Sequence, residues 1–111
     1  IPMKMDKAQI LIIDDEPQIR KLLQINLDSN GYSTLQAANA KEGTALAASH
    51  LPDAILLDIG LPDKSGHELL VDLRDWYQKP IIILSVQDNE RDIIRALDNG
   101  ASDYLTKPFR T

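Results

Sequence analysis

The sequence contains no cysteine, so it forms neither a disulfide framework nor a thiolate metal site. A chain without cysteine fits a reducing compartment, and we expect a cytoplasmic protein. Its apolar runs, such as ILII and AILL, are much shorter than the roughly 20 residues of a membrane-spanning helix. The first residues, IPMKMDK, also lack a signal-peptide core, so we expect residues 1–8 to be a tail.

The sequence is also poor in positive charge. Its formal net charge of −5 argues against direct binding of nucleic acid, because phosphate backbones favour faces rich in Lys and Arg. No repeat, linker or low-complexity tract interrupts the 111 residues, a length that suits one domain.

Short apolar runs alternate with segments of helical periodicity along the chain. We predict five strands, at Ile10–Ile13, Tyr32–Ala37, Asp53–Asp58, Pro80–Ser85 and Ser102–Lys107. We predict four helices, between Pro17 and Gly31, near Ala40–His50, at about Gly66–Tyr77 and near Glu90–Asn99. The third helix is expected to turn Leu69, Leu70, Leu73 and Trp76 inward. Strict alternation predicts an α/β fold with a parallel sheet that is covered on both faces, and the polar second strand is expected at its edge.

Polar residues follow several of the predicted strands. In a parallel sheet the carboxyl ends of the strands share one edge, where sites form. The residues expected there are Asp14, Asp15, Glu16, Asp58, Ser85, Thr106 and Lys107. Each has an ordinary explanation by itself, since Asp and Ser often cap helices or turns and Lys is usually solvated. Their combination at one edge points to a site.

Oxygen ligands without His or Cys suit a hard cation such as Mg²⁺. Such a cation and Lys107 would neutralise an incoming phosphoryl group, and Ser85 would donate a hydrogen bond to it. A central carboxylate would then act as the nucleophile and form an acyl phosphate. Asp58 has the central position, so we expect it to be the phosphoacceptor.

The stretches IIDDE, LLDIGLPDKSG, ILS and DYLTKPF together resemble the receiver domains of two-component response regulators, from about Gln9 to Phe109. The resemblance implies a CheY-like, flavodoxin-type, doubly wound sheet of order 2-1-3-4-5. It implies a receiver domain over residues 9–111, truncated after the fifth strand, so that a last helix is missing. It also implies that a sensor histidine kinase phosphorylates Asp58.

The same resemblance assigns the metal ligands. Asp15, Asp58 and the carbonyl group of Gly60 would bind Mg²⁺ directly, and Asp14 would contribute through water.

It also implies a switch. Ser85 would move toward the phosphoryl group, Lys107 would pair with that group, and Tyr104 would swing inward. The Lys107–Pro108 peptide bond would be cis.

The stretch ALDNGASDYLTKPF narrows the resemblance to the OmpR/PhoB subfamily, and DIGLPDKSG and DLRDW are similar to regulators of a potassium-uptake operon. This implies a parent protein with a C-terminal DNA-binding domain and a possible homodimer through the face of helix 4 and strand 5. Three departures from the pattern are Val86, Ile93 and Ser102. Val86 would narrow the site, and the other two put the symmetric dimer in doubt.

Other functions fit the residues less well. A phosphatase of the haloacid-dehalogenase type needs a second Asp where Gly60 stands, an FMN site would be repelled by DDE, and a serine hydrolase lacks its G-x-S-x-G turn. His50 and His67 are expected to be solvated. The remaining alternative is a receiver-shaped interaction module that acts without phosphorylation.

Overall fold

Five parallel strands form one sheet in the order β2-β1-β3-β4-β5, which confirms the predicted fold class and strand order. The structure is a computed structural model, and it describes residues 7–107. Its strands are β1 (Gln9–Ile13), β2 (Ser33–Ala37), β3 (Ala54–Asp58), β4 (Ile81–Ser85) and β5 (Asp103–Thr106). Its helices are α1 (Pro17–Ser29), α2 (Ala40–His50), α3 (Gly66–Arg74) and α4 (Glu90–Asp98).

Alternating residues of the central strands fill two cores, one on each face of the sheet. Leu11 and Ile13 belong to the larger cluster, together with Leu70 of α3 and Ala96 of α4. The smaller cluster contains Ile10, Ile12, Leu56 and Leu84, with Leu23 and Leu27 of α1 packed against it. The sequences of the central strands are continuous apolar runs because both faces of these strands are covered.

Local residue chemistry explains where several helices begin and end. The Asn39 side chain accepts a hydrogen bond from the Glu42 amide, and this N-cap starts α2 at the predicted residue. Gly31 and Gly100 follow α1 and α4 with φ of 88° and 107°, a left-handed conformation that glycine adopts without a steric cost. No helix in the described part of the chain is long and apolar enough to span a membrane.

The predicted end of α3 is wrong. The helix ends at Arg74 rather than continuing to Tyr77, and Trp76 is 41% exposed, not turned inward. The buried aromatic residue is Tyr77, which is 2% exposed and donates a hydrogen bond from its hydroxyl group to the Pro52 carbonyl group at 2.8 Å. Once the chain leaves the helix, the three-residue spacing from Leu73 no longer determines which side chain points inward.

We expect truncation of these adjacent aromatic residues to have very different costs. Tyr77→Ala should lower the free energy of unfolding by roughly 3–5 kcal/mol, because it leaves a cavity in the core and an unpaired carbonyl group. Trp76→Ala should cost about 1 kcal/mol or less, since that residue is 41% exposed. Urea denaturation followed by circular dichroism measures both values. Equal losses would contradict the burial described here.

Candidate functional site

The Lys107 side chain lies at the centre of a cluster of acids at the carboxyl edge of the sheet. Its ammonium nitrogen is 2.8 Å from Asp14 Oδ2, 3.2 Å from Glu16 Oε1 and 3.4 Å from Asp58 Oδ1. The side chain is only 7% exposed. The backbone amide of Lys107 also donates to the Ser85 carbonyl group at 2.7 Å, so the end of β4 fixes where the side chain starts. Lys107 is therefore a buried cation held by three carboxylates.

Asp14 is fully buried where β1 ends. Its Oδ1 accepts a hydrogen bond from the Glu16 amide at 2.9 Å, and its own amide donates to the Ala37 carbonyl group at 3.0 Å. Its Oδ2 is the atom that forms the short ion pair with Lys107. A carboxylate buried this deeply needs such partners, because an unpaired one would be very unfavourable.

Asp58 is the last residue of β3 and is 5% exposed. Burial and, to a smaller extent, the negative charge of Asp14 raise the pKa of its carboxyl group to about 6. Lys107 and the backbone amide of Gly60 oppose this shift, because both stabilise the ionised form. Asp58 is therefore still mostly ionised at pH 7, and it is ready to accept a further positive charge.

A cleft of about 350 Å³ opens above these groups. It is lined by Asp15, Glu16, Asp58, Ile59, Gly60, Ser85, Val86, Gln87 and Lys107. The chain thus brings the predicted residues Asp15, Asp58, Gly60, Ser85 and Lys107 together around one space. Val86 stands at this cleft with a side chain that is 68% exposed.

Ser85 and Tyr104 both contact Gln87. The Ser85 hydroxyl oxygen accepts a hydrogen bond from the Gln87 amide at 2.9 Å. It therefore caps the turn after β4, which is the ordinary role that its sequence position suggested. The Tyr104 hydroxyl group donates to the Gln87 carbonyl group at 2.7 Å, and its ring packs against the larger core cluster. One residue therefore links the two side chains.

The donor set suits a hard divalent cation. Carboxylate oxygens of Asp14, Asp15 and Glu16 lie within 4.8 Å of one another, and Asp58 lines the same cleft as Asp15. Asp14, Asp15, Glu16 and Asp58 carry four carboxylates near the one ammonium group of Lys107, which leaves negative charge for a cation to neutralise. Oxygen ligands of this kind are those that Mg²⁺ prefers.

Glu16 was expected at this edge of the sheet without an assigned role. It stands at the N-cap of α1, makes no side-chain cap bond, and its carboxylate lies 3.2 Å from the Lys107 ammonium nitrogen. Its position after the acid pair was the only sequence signal. His67 was expected to be solvated, which is wrong: it is 4% exposed between α3 and α4, with Nε2 3.8 Å from Asp92 Oδ1. The predicted cis Lys107–Pro108 bond involves Pro108, which lies outside the described residues.

Comparison with known proteins gives one consistent family. The family profile described as "Response regulator receiver domain" matches residues 10–111. The transcriptional regulatory protein KdpE of Mycobacterium tuberculosis is 48% identical over 100 residues, covering 90% of this chain and 44% of the relative. KdpE of Escherichia coli K12 is 46% identical over 102 residues, covering 92% and 45%. The chain spans less than half the length of these relatives.

Solved structures show the same fold. A two-component response regulator from Clostridium difficile aligns with a TM-score of 0.91 at 32% identity, covering 94% of this chain and 86% of the other. The BeF3-activated N-terminal receiver domain of Klebsiella pneumoniae RstA aligns with a TM-score of 0.88 at 32% identity, covering 92% and 87%.

The raised pKa of Asp58 implies a pH-dependent cost to the metal-free fold. Because the pKa rises from 3.8 to about 6, the cost is absent below the lower value and fully present above the higher one. We expect Asp58→Asn to stabilise the protein in EDTA by roughly 1–2 kcal/mol at pH 7.5, after allowance for solvent screening in the open cleft, and by much less at pH 4.5. Urea denaturation at the two pH values measures this. A gain that does not depend on pH would show that Asp58 carries no such penalty.

Proposed function

The chain belongs to the response regulator receiver domain family, and from this we propose that it is a phosphorylation-controlled switch with Asp58 as the phosphoacceptor. The observation that supports this most directly is the arrangement around Lys107. One buried ammonium group lies 3.4 Å from Asp58 Oδ1, at the base of a cleft that is open to solvent. This contact supports the proposal, because the carboxylate that would act as the nucleophile lies beside a cation that would stabilise the arriving phosphoryl charge.

The chemical step is an attack by a carboxylate oxygen of Asp58 on phosphorus. In a phosphohistidine donor, the new O–P bond forms as the P–N bond breaks, and the imidazole keeps the electron pair and takes up a proton from solvent. The pKa of Asp58, raised to about 6 by burial, leaves the carboxylate ionised at pH 7 and hence competent as a nucleophile. Lys107 stabilises the charge that the phosphoryl oxygens bring.

We propose Mg²⁺ as the cofactor. Asp15, Asp58 and the Gly60 carbonyl group would hold it, and Asp14 would contribute through water, as the family resemblance implies. When bound, Mg²⁺ supplies charge neutralisation for the phosphoryl oxygens in the transition state. The residues themselves orient the carboxylate and hold Lys107 beside it.

The contacts of Gln87 support a route from the phosphorylation site to the surface. If the Ser85 hydroxyl group turns to donate to a phosphoryl oxygen, the bond that it accepts from the Gln87 amide is lost. Gln87 also accepts the Tyr104 hydroxyl bond, so a shift of Gln87 changes how Tyr104 is held. This biases an existing equilibrium between two arrangements of α4 and β5.

The proposed partners follow from the family. A sensor histidine kinase would donate the phosphoryl group, and a C-terminal domain of the parent protein would bind DNA in the cytoplasm. The proposed output face carries Ile94, Leu97 and Leu105, which are 43–50% exposed and suit a homodimer through α4 and β5. With a net charge of −5, this part of the protein is not expected to bind nucleic acid itself.

We expect acetyl phosphate with Mg²⁺ to add one phosphoryl group to this chain, detected by intact mass. Asp58→Asn should show no added mass, because the nucleophile is gone, while its circular dichroism spectrum should remain that of the unaltered chain. EDTA should prevent the modification. If Mg²⁺ binds but no mass is added, the alternative of an interaction module that acts without phosphorylation is favoured.

We expect Lys107→Ala to separate metal binding from switching. The variant should still bind Mg²⁺, because its proposed ligands remain, although buried carboxylates without a partner should make it less stable. In the unaltered chain, phosphorylation should shift the Gln87 amide resonance in NMR spectra. A shift of the same size in Lys107→Ala would show that Lys107 does not couple Asp58 to the Tyr104 face.

A further inference from the structure

The first turn of α2 receives partners from two parts of the chain. Its cap residue, Asn39, accepts the Glu42 amide bond at 2.8 Å. The backbone amides of the two residues before Glu42 donate instead to a side chain that is distant in sequence. Ala40 donates to Asp63 Oδ1 at 2.8 Å, and Lys41 donates to Asp63 Oδ2 at 3.0 Å. One exposed carboxylate therefore satisfies two helix amides that would otherwise have no intrahelical partner.

Asp63 belongs to the segment that carries Gly60. This segment, residues 59–65, joins β3 to α3. The strand pairing of β3 ends at Asp58, and the Ile59 amide still donates to the Leu84 carbonyl group at 3.2 Å. The Gly66 amide then returns to the Ile59 carbonyl group at 2.8 Å. Gly60 lies between these two anchors, in a part of the chain beyond the sheet.

Within the described residues, Leu61 of this segment is buried in the larger core cluster and Ile59 packs against it. Two polar contacts also hold the segment from outside: the pair of bonds from Asp63 to α2, and an ion pair between Lys64 and Asp72 of α3 at 2.8 Å. The Lys64–Asp72 pair is exposed on both sides, so it contributes little. The Asp63 contacts are stronger in kind, since backbone amides bind the ionised carboxylate and lower the pKa of Asp63.

The other segment that would hold the metal contains the acid pair, Asp14 and Asp15. The Asp14 amide donates to the Ala37 carbonyl group at 3.0 Å, two residues before the cap of α2. A continuous path thus runs from Asp14 through Ala37 and the start of α2 to Asp63. It links the two segments that would hold the metal, those at Asp14–Asp15 and at Asp58–Gly60, by a route separate from the β1–β3 pairing.

We propose that Asp63 is a positioning residue for the metal site. By binding the start of α2, its carboxylate sets the distance between the acids after β1 and the Gly60 backbone. This role rests on the proposed function to the extent that the cleft binds Mg²⁺, but it does not require phosphorylation. Residues that orient metal ligands from outside typically change metal affinity by 10- to 100-fold when they are replaced. Asp63 acts through a loop, so we expect a smaller effect.

The test is the Mg²⁺ dissociation constant of this chain and its variants, measured by calorimetry, with thermal unfolding in EDTA as the second readout. Asp63→Ala should raise the dissociation constant by roughly 3- to 10-fold. Asp63→Asn loses the charge but keeps one accepting oxygen, so its dissociation constant should lie between those of Asp63→Ala and the unaltered chain.

Two control variants separate positioning from simple destabilisation. Asn89→Ala removes the cap of α4, which accepts the Asp92 amide bond and lies outside this path, so it should lower the unfolding temperature while leaving the dissociation constant within about twofold of the unaltered value. Lys64→Ala removes the surface ion pair of the same loop and should change neither quantity appreciably.

The outcomes are distinct. Asp63→Ala with a lower unfolding temperature but an unchanged dissociation constant would overturn the positioning role and leave a helix cap. Equal dissociation constants for Asp63→Ala and Asp63→Asn would overturn it too, because charge alone would then explain the effect. If the unaltered chain binds no Mg²⁺, the proposed metal site fails and this role fails with it. If the chain binds Mg²⁺ but is not phosphorylated, only the proposed switch fails.

Discussion

The buried ammonium group of Lys107 is the constraint on which the rest of the site depends. Asp14 is fully buried and Asp58 nearly so, and neither charge would be tolerated there without a nearby cation. Lys107 lies within 3.4 Å of both and also reaches Glu16, which is 91 positions away in sequence. The cation thus holds together acids from the ends of β1 and β3. It leaves one face of Asp58 open to the cleft.

The parallel sheet makes this concentration of charge possible. Because β1, β3, β4 and β5 are adjacent in that order, their carboxyl ends meet at one edge of the sheet. The apolar residues of β1, β3 and β4 are buried in the two core clusters, one on each face. Hydrophobic burial provides the stability that offsets a repulsive group of acids. A site of this kind is unfavourable without a metal, because its carboxylates repel one another. It is suited to bind a divalent cation, since the cation would reduce that repulsion.

The strands, the helices and the acids at the strand ends could be predicted because each is determined locally. Apolar runs identify buried strands, and the cap at Asn39 sets the start of α2 at the predicted residue. The errors lie where long-range contacts decide. Arg74 donates to the carbonyl groups of Gly100 and Lys79 as α3 ends, and Tyr77, not Trp76, then enters the core. Helical spacing carries no information about such contacts, since their partners are distant in sequence.

The same distinction applies within the site. Asp58 and Glu16 could be assigned to the site edge from the sequence, because both follow apolar strands whose carboxyl ends share one edge, whereas Asp63 looks like an ordinary surface acid. The contacts of Glu16 and Asp63 depend on other elements: Glu16 contacts Lys107, and Asp63 accepts bonds from the first amides of α2. Apolar periodicity therefore locates the ends of the strands to within one residue, and the family resemblance supplied their order in the sheet. Polar contacts between elements, such as those of Glu16 and Asp63, are added by the folded chain, and the affinity of a metal site depends on groups of this kind that orient its ligands.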